Sequence, residues 1–583
     1  MAVEKLIVDH IDTWTTARQT RSTAGRGSSG KIDLYGIKKL RELILELAVR
    51  GKLVPQDSND EPASELLKRI AAEKAELVKQ GKIKKPKPLP EISEEEKPFE
   101  LPEGWEWTRL GFISNYGFCD KAEPEDVTPE TWILELEDIE KVTSKLLNKV
   151  TFAERPFKSS KNRFSQGDVL YGKLRPYLDK VIVANEPGVC TTEIIPITSY
   201  GNIYPEFLRL LLKAPNFITY ANSSTHGMNL PRLGTEKAQQ AVIELAPIQE
   251  QLRIVSRVDK LMSLCDQLEQ HSLTSLDAHQ QLVETLLTTL TDSQNADELA
   301  ENWARISEHF DTLFTTEASI DALKQTILQL AVMGKLVPQD PNDEPASELL
   351  KRIAQEKAQL VKNGKIKKQK PLPPISDEEK PFELPDGWEW CRLGEIVTIR
   401  GGKRVSNGYK LLSTVTPYVY IRVSDMKDGS IDLTDLRYID SDMQKKISSY
   451  IIKKEDIYMT IVGATIGKCG TIPAELDGMN LTENAARLTP HAELSKQYLF
   501  QCLRSTFCQS QFIDKTLQVG VQKMALNRLS NTLIPLPPVL ECEKIANKIN
   551  EIEIICHGIA EKIINTQQTQ LNLADALTDA AIN

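Results

Sequence analysis

The strongest constraint on this chain is a stretch that it carries twice. Residues 48–111 recur as residues 331–394 at an offset of 283 without a gap, and 54 of the 64 positions are identical. A period of this length is that of a domain rather than of a solenoid repeat. The sequence therefore predicts two copies of one structural unit in tandem. We call residues 48–111 and 331–394 the frame segments.

The sequence that follows each frame segment is different in the two copies. Downstream of Gly111 and Gly394 the resemblance stops, and it returns only in LAPIQEQLRIV (245–255) and LPPVLECEKIA (536–546), now at an offset of 291. A constant frame around two divergent globes suggests two related surfaces that read two different targets.

Apolar residues at alternating spacings of four and three predict coiled-coil helices. Residues 250–290 contain no proline, residues 541–580 carry a similar pattern, and a further helix is expected over 296–334. An unbroken helix of about 40 residues is about 60 Å long, which is enough to hold two globes apart; a compact helical bundle is the alternative. The seam residues are Ile254, Val258, Leu261, Cys265 and Leu268, matched by Ile545, Ile549, Ile552, Cys556 and Ile559.

The two globes show the same order of predicted parts. Residues 168–185 and 456–472 each read as two strands around a turn, and residues 204–222 and 495–513 each read as an amphipathic helix. The lysine- and proline-rich segment 82–90, like its copy in the second frame segment, is expected to be extended.

These elements predict an α+β protein in which two mixed α/β globes are separated by long helices. The expected domains are a helical region and linker at 1–103, a first globe at 104–246, a central helical region and linker at 247–386, a second globe at 387–536 and a C-terminal helix at 537–583.

Composition limits the classes of function. No apolar run approaches the length of a membrane span, and the nine cysteines and seven histidines show no metal-ligand spacing, so we expect a reduced, cytoplasmic protein without a metal site. The net charge of −10 gives no support to nucleic-acid binding. The local charge of the globes is less unfavourable for nucleic-acid binding. Residues 395–536 hold 18 basic and 14 acidic side chains, a net +4, and residues 112–246 hold 15 basic and 17 acidic ones.

The chain lacks a convincing catalytic motif. The turn from Gly463 to Lys468 faintly resembles a phosphate-binding loop, but Val462 and Cys469 stand where glycine and a hydroxyl residue are needed. A nuclease carboxylate cluster and an amino-methyltransferase motif are not evident either. The sequence thus favours a reader over an enzyme.

Two regions in each globe combine basic, amide and hydroxyl side chains, which suit phosphates and base edges. Any one of these residues could instead serve as an ordinary surface or capping residue, so the prediction depends on the clusters. The candidate DNA-binding residues are Lys173, Arg175, Tyr177, His226, Asn229 and Arg232 in the first globe, and Thr465, Lys468, Gln522, Lys523, Asn527 and Arg528 in the second.

Over essentially its whole length the chain resembles the specificity subunits of type I restriction–modification enzymes. The motifs that carry the resemblance are the duplicated GKLVPQD…ASELLKRI…PFELPEGWEW frame, the LAPIQEQLRIV and IPLPPVLECEKIA junctions, and the strand–turn–strand segments GDVLYGKLRPYL (167–178) and EDIYMTIVGATIGKC (455–469). The second junction departs from the family pattern at Leu540 and Cys542, where the first has Gln249 and Gln251.

The resemblance implies a subunit of a phage-defence system. Each globe would be a target recognition domain for one half of an asymmetric, bipartite double-stranded DNA site, and the helices would form an antiparallel coiled coil that sets the spacer. Two DNA-methyltransferase subunits would dock on the frames, and motor-nuclease subunits would complete the complex. The chain itself would hold no cofactor, since S-adenosylmethionine, ATP and magnesium would belong to the partners. The rival interpretation, motivated by the acidic total, is an assembly scaffold that does not bind DNA.

Overall fold

The computed structural model describes residues 3–21, 31–427, 429–491, 493–513 and 523–582. They form two compact units, each of which contains one frame segment and one globe. Of the described residues, the first unit holds 3–19, 32–274 and 567–582, and the second holds 275–566 together with 20, 21 and 31.

Among the described residues, the first unit contains the end of the chain's last helix, eight whole helices and the first part of a ninth. The eight and the ninth are α1 (Val3–Asp9), α2 (Ile11–Thr16), α3 (Tyr35–Val49), α4 (Ala63–Lys79), α5 (Leu110–Ile113), α6 (Pro205–Lys213), α7 (Pro215–Ser223), α8 (Thr235–Gln240) and the long α9 (Ile248–Asp292).

The strands described in this half of the chain are short. They are β1 (Gln19–Arg21), β2 (Lys31–Asp33), β3 (Glu106–Arg109), β4 (Lys121–Ala122), β5 (Trp132–Leu134), β6 (Val150–Thr151), β7 (Lys161–Phe164), β8 (Val169–Gly172), β9 (Val181–Val183), β10 (Gly188–Cys190), β11 (Ile194–Ile197), β12 (Thr225–His226), β13 (Arg232–Leu233) and β14 (Val242–Leu245).

The helices of the second unit begin with the last part of α9. They continue with α10 (Ala296–Glu308), α11 (Phe310–Leu313), α12 (Glu317–Val332), α13 (Ala346–Lys362), α14 (Leu393–Ile396), α15 (Ser441–Lys446), α16 (Lys496–Arg504), α17 (Thr506–Ile513), α18 (Leu526–Ser530) and the long α19 (Val539–Ile582), whose last residues belong to the first unit.

Its strands are β15 (Glu389–Arg392), β16 (Val397–Gly401), β17 (Tyr418–Ile421), β18 (Tyr438–Ile439), β19 (Ile451–Ile452), β20 (Ile457–Thr460), β21 (Cys469–Thr471), β22 (Met479–Leu481), β23 (Ala485–Pro490) and β24 (Leu533–Leu536). Mixed sheets and long helices thus confirm the predicted fold class.

The chain enters and leaves each globe through one antiparallel strand pair. In the first globe β3 pairs with β14, with Arg109 opposite Val242. In the second globe β15 pairs with β24, with Arg392 opposite Leu533. The first strand closes a frame segment and the second precedes a long helix, so each globe is an insert held at its two ends.

The sheets inside the globes are related but not identical. The first globe has a five-stranded sheet in the order β4-β7-β10-β5-β6 and a three-stranded sheet in the order β11-β8-β9. The second has two four-stranded sheets, ordered β16-β23-β20-β21 and β18-β17-β22-β19. Each globe contains a parallel pair, β10 with β5 and β17 with β22, among antiparallel neighbours. Shared architecture with divergent sequence is therefore observed.

Seven of the ten predicted seam residues are buried, and Leu268, Ile552 and Ile559 are half-buried. Ile254, Val258, Leu261 and Cys265 of α9 are at most 3% exposed. Within the second unit, α9 contributes Val283 and Leu287 to a hydrophobic core that also contains the first half of α19 and residues of α12. The members of that core from α19 are Cys542, Ile545, Ile549 and Cys556.

Three predicted helices are interrupted, each by a local cause. The helix predicted over 204–222 is two helices, because Pro215 cannot continue α6 and holds Ala214 in an extended conformation. Ser505 separates α16 from α17, and its hydroxyl accepts a hydrogen bond from the amide of Cys508 at 3.3 Å. The region 296–334 contains α10, α11 and α12, and the last of these begins with a capping box at Thr316.

Candidate functional site

A buried carboxylate joins each frame segment to the helix that follows its globe. The indole Nε1 of Trp105 donates a hydrogen bond to Glu250 at 3.0 Å, and Gln56 donates to the other carboxylate oxygen at 3.0 Å. In the second unit Trp388 and Gln339 bind Glu541 at 3.0 and 3.1 Å. Both glutamates lie in the first turn of a long helix, where the helix dipole favours negative charge.

Burial governs the charge state of these two glutamates. Desolvation raises the pKa of Glu250 and of Glu541, and the hydrogen bonds from tryptophan and glutamine oppose that rise. Removal of either donor would leave a buried carboxylate oxygen without its partner, which is costly. We call the cluster of Trp105, Gln56 and Glu250, and its copy formed by Trp388, Gln339 and Glu541, the joint. Each joint depends on all three of its side chains together.

A buried arginine fastens the end of each linker to the base of its globe. Arg109 forms an ion pair with Glu96 at 2.9 Å and also donates to the carbonyls of Pro90 and Gln240 at 2.8 and 2.5 Å. The hydrogen bonds from Arg109 and from the amide of Ser93 lower the pKa of Glu96 to about 2.

The second copy repeats this arrangement in detail. Arg392 pairs with Glu379 at 3.0 Å and donates to the carbonyls of Pro373 and Asn531 at 2.7 and 2.9 Å. Two globes of different sequence are thus attached to their linkers through equivalent arginine contacts.

In the first globe, a turn and a hairpin bring six candidate residues to one edge. The turn follows β8, and its Lys173 carbonyl accepts a hydrogen bond from the amide of Leu233 at 3.0 Å. The amide of Arg175 donates to the carbonyl of Pro231 at 2.7 Å. Strands β12 and β13 form the hairpin, with His226 opposite Arg232. Residues that are far apart in the chain therefore lie side by side at this edge.

The six side chains on this edge differ in availability. Tyr177 is 53% exposed, and His226 and Asn229 are also exposed. Arg232 is engaged by Glu193 at 3.0 Å, which raises the pKa of the guanidinium and offsets its charge. Lys173 is half-buried.

Arg175 combines a strained backbone with an unsatisfied side chain. Its φ of 52° is left-handed, and its buried Nε has no hydrogen-bond partner among the described residues. Strained backbone in a folded protein often marks a binding site.

The second globe places its candidate residues in the equivalent arrangement. The turn after β20 pairs with the segment before α18, through a bridge between Val462 and Lys523. Thr465 and Lys523 are exposed, and Lys468 is half-buried. Asn527 is exposed and Arg528 half-buried on α18, whereas Gln522 lies outside the described residues.

The residues of the joint were not among the sequence-predicted site residues. The candidate residues predicted from the sequence include neither the tryptophans Trp105 and Trp388 nor the glutamates Glu250 and Glu541. The signal was present, because the tryptophans repeat at an offset of 283 and the glutamates at 291.

Two kinds of feature are missing from the described parts of the chain. No group of three or more His, Cys, Asp or Glu side chains there could hold a metal ion. No described helix is both long enough and apolar enough to cross a membrane.

Comparison with known proteins gives consistent similarities. Residues 385–566 match the family model described as the type I restriction modification DNA specificity domain. The chain is 54% identical to the type I restriction enzyme EcoAI specificity subunit of Escherichia coli and 48% identical to the EcoEI specificity subunit of the same species, and each alignment covers 100% of both chains. A solved structure of a type I R-M system matches 83% of this chain and 99% of its own at 18% identity with a TM-score of 0.52, which is a similarity of fold.

Proposed function

The chain belongs to the family of type I restriction enzyme specificity subunits, and from this premise we propose that each of its globes reads one half of an asymmetric, bipartite DNA site. The family is one of DNA-recognition subunits, which are not themselves catalytic. The candidate residues on the two globe edges would make the contacts to bases and phosphates.

The observation that carries this proposal is the pairing of one joint with two different globes. Trp105 and Trp388 make the same hydrogen bond to Glu250 and Glu541 at the same distance of 3.0 Å. A scaffold that only held partners together would have no use for two globes that differ in sequence. Two domains that recognise different half-sites need a constant attachment to the frame and a variable DNA-recognition surface.

The proposed domains follow from the same joints. Residues 104–246 and 387–536 would be the first and second target recognition domains, and each range includes the strand pair that closes its globe. The regions 1–103, 247–386 and 537–583 would provide the frame segments and the long helices. Those helices would fix the spacer, since readers one turn of DNA apart need about 34 Å between their centres.

The partners follow from the repetition of the frame. Two copies of a near-identical surface suit two copies of one partner, and we propose that these are DNA-methyltransferase subunits acting on adenine. Motor-nuclease subunits would complete the assembly. S-adenosylmethionine, ATP and magnesium would belong to those partners, and the complex would work in the cytoplasm.

The test is DNA binding by the chain together with its methyltransferase partner, at increasing salt. We expect sequence-specific binding that weakens by roughly a thousandfold or more between 50 and 200 mM salt, because six to ten phosphate contacts release their counterions. Binding that is indifferent to salt, or to DNA sequence, would instead support an assembly scaffold.

A further inference from the structure

The first globe concentrates unusual backbone conformations in one place. Among the described residues, five that are not glycine have a positive φ, and four of these lie in two short segments. Val142 and Ser144 have φ values of 69° and 57°, and Arg175 and Asp179 have values of 52° and 49°. A left-handed backbone is costly for a β-branched residue such as valine, so other interactions must hold these segments in place.

The two segments are bound directly to each other. The amide of Val142 donates to the carbonyl of Leu178 at 2.8 Å, and the Ser144 hydroxyl donates to the carbonyl of Asp179 at 2.7 Å. The Ser144 oxygen in turn accepts a hydrogen bond from the amide of Val181 at 3.1 Å. The turn at 140–147 and the turn that carries Arg175 therefore form one composite surface.

Lys213 of α6 lies beneath that surface and contacts both segments. Its Nζ pairs with the Asp179 carboxylate at 2.6 Å and donates to the Ser144 hydroxyl at 2.8 Å and the Val142 carbonyl at 2.9 Å. Burial lowers the pKa of Lys213 and raises that of Asp179 to about 6. A buried cation that is fully hydrogen-bonded can hold a strained conformation in a single arrangement.

The equivalent turn of the second globe is shorter and uses glycine. A bridge between Ile139 and Leu146 closes the first turn, and one between Met426 and Ile431 closes the second. In the described part of the second turn, Gly429 has a positive φ of 84°. The first globe thus has a longer turn in which Val142 and Ser144 adopt a left-handed backbone that glycine would adopt without strain. Two readers of different targets are expected to differ at such positions.

The outer face of the turn at 140–147 has a composition that suits DNA. Lys141 and Lys145 are exposed, and among the described residues neither has an acidic partner. Val142 and Leu147 are 53% and 54% exposed. Ammonium groups bind phosphates, and apolar groups pack against the thymine methyl in the major groove.

We propose that the turn at 140–147 is a further DNA-contacting element of the first globe, in which Lys141 and Lys145 bind phosphates, Val142 packs against a base edge, and Lys213 is the positioning residue. This inference rests on the proposed function. It adds a second recognition segment beside the turn that carries Arg175.

The first experiment changes the charge of this turn. In the complex with the methyltransferase, the Lys141→Ala/Lys145→Ala double variant is compared with wild type and with Lys158→Ala/Lys237→Ala, which removes two exposed lysines elsewhere in the first globe. The probe is the duplex identified by mapping methylated adenines in cells. We expect the slope of log affinity against log salt to fall by about 1.8 in the turn variant, since each phosphate contact contributes about 0.9. A slope equal to that of the Lys158→Ala/Lys237→Ala control would overturn the proposal.

The second experiment replaces Val142, the β-branched residue with a left-handed backbone. Val142→Gly removes the side chain and relieves the left-handed backbone, so we expect a melting temperature equal to or above that of wild type. Affinity for the cognate duplex should nevertheless fall by about fivefold or more. A variant that gains stability and keeps its affinity would show that Val142 does not touch DNA.

The positioning role of Lys213 is measured as discrimination between half-sites. Lys213→Met should reduce discrimination against base changes in the first half-site and leave discrimination in the second half-site unchanged. Unaltered discrimination in a folded variant would remove Lys213 from this role. If Lys213→Met does not fold, the Lys141→Ala/Lys145→Ala and Val142→Gly variants test whether the turn contacts DNA. If wild type itself shows no sequence-specific binding, the proposed function fails; if wild type binds specifically and the variants match it, only this inference fails.

Discussion

The hydrogen bond between Trp388 and Glu541 predicts the cost of deleting the indole N–H donor. Trp388→Phe keeps an aromatic ring in the core but deletes the Nε1 donor that binds Glu541 at 3.0 Å. A hydrogen bond to a charged group contributes about 1.5–3 kcal/mol. Gln339 still binds the other oxygen at 3.1 Å, so we expect the free energy of unfolding of the second unit to fall by about 2 kcal/mol.

The cost of this substitution should depend on pH in a defined direction. The hydrogen bond from Trp388 lowers a pKa that burial has raised, so its loss raises the pKa of Glu541 further. The penalty is therefore smallest in acid, where the carboxyl group is protonated, and it grows as pH rises and the carboxylate ionises.

Urea denaturation followed by far-ultraviolet circular dichroism measures the loss, and hydrogen exchange of the peptides around Glu541 localises it. Trp390→Phe is the matched control, because this tryptophan lies two residues further along, on β15, and is half-exposed. Trp105→Phe should reproduce the effect in the first unit. If Trp388→Phe were as stable as the Trp390→Phe control, the carboxylate joint would not hold the frame to its helix.

Three further predictions test other parts of the structure. Burial raises the pKa of Glu244 to about 8, so its protonated carboxyl should contribute stability fully below about pH 4.5, and this contribution should be lost as pH rises through 8. Thermal melts of Glu244→Gln should lack this loss between pH 4.5 and 8, and a pH profile identical to that of wild type would contradict the assignment. Arg175→Ala should weaken binding at the first half-site and Lys468→Ala at the second, each by about tenfold, and an equal effect of both on one half-site would exclude separate readers. Gln251→Ala should cost about 1–2 kcal/mol in chemical denaturation, because its side chain bonds two backbone groups; a loss below about 0.5 kcal/mol, the usual range for surface substitutions, would show that this junction does not need it.

Much of the architecture could be predicted because the sequence states it twice. Identical residues at a fixed offset predict identical local structure, and the frame segments indeed repeat the same helix and the same strand. The strand–turn–strand segments were also predicted correctly, since apolar runs around a basic or glycine turn are a strong local signal. Apolar periodicity predicted the helices less well at Pro215 and Ser505, because a single residue there divides a helix although the apolar pattern continues through it.

The contacts that make the site were harder to predict. Trp105 and Glu250 are 145 positions apart, and nothing in the local sequence of either predicts the other. The strained turn gives no local signal at all, because valine and serine do not favour a left-handed backbone. Such conformations are imposed by tertiary contacts, here by Lys213. The candidate residues could be predicted as clusters, whereas their separate degrees of burial needed the fold.

The most direct measurement exchanges one globe and leaves its joint intact. Residues 112–246 are replaced by the corresponding segment of a relative with a different site, and adenine methylation is mapped in cells that also express the methyltransferase. We expect one half of the methylated sequence to change to that of the relative while the other half and the spacer stay the same. A change in both halves, or in neither, would contradict two independent readers on a common frame.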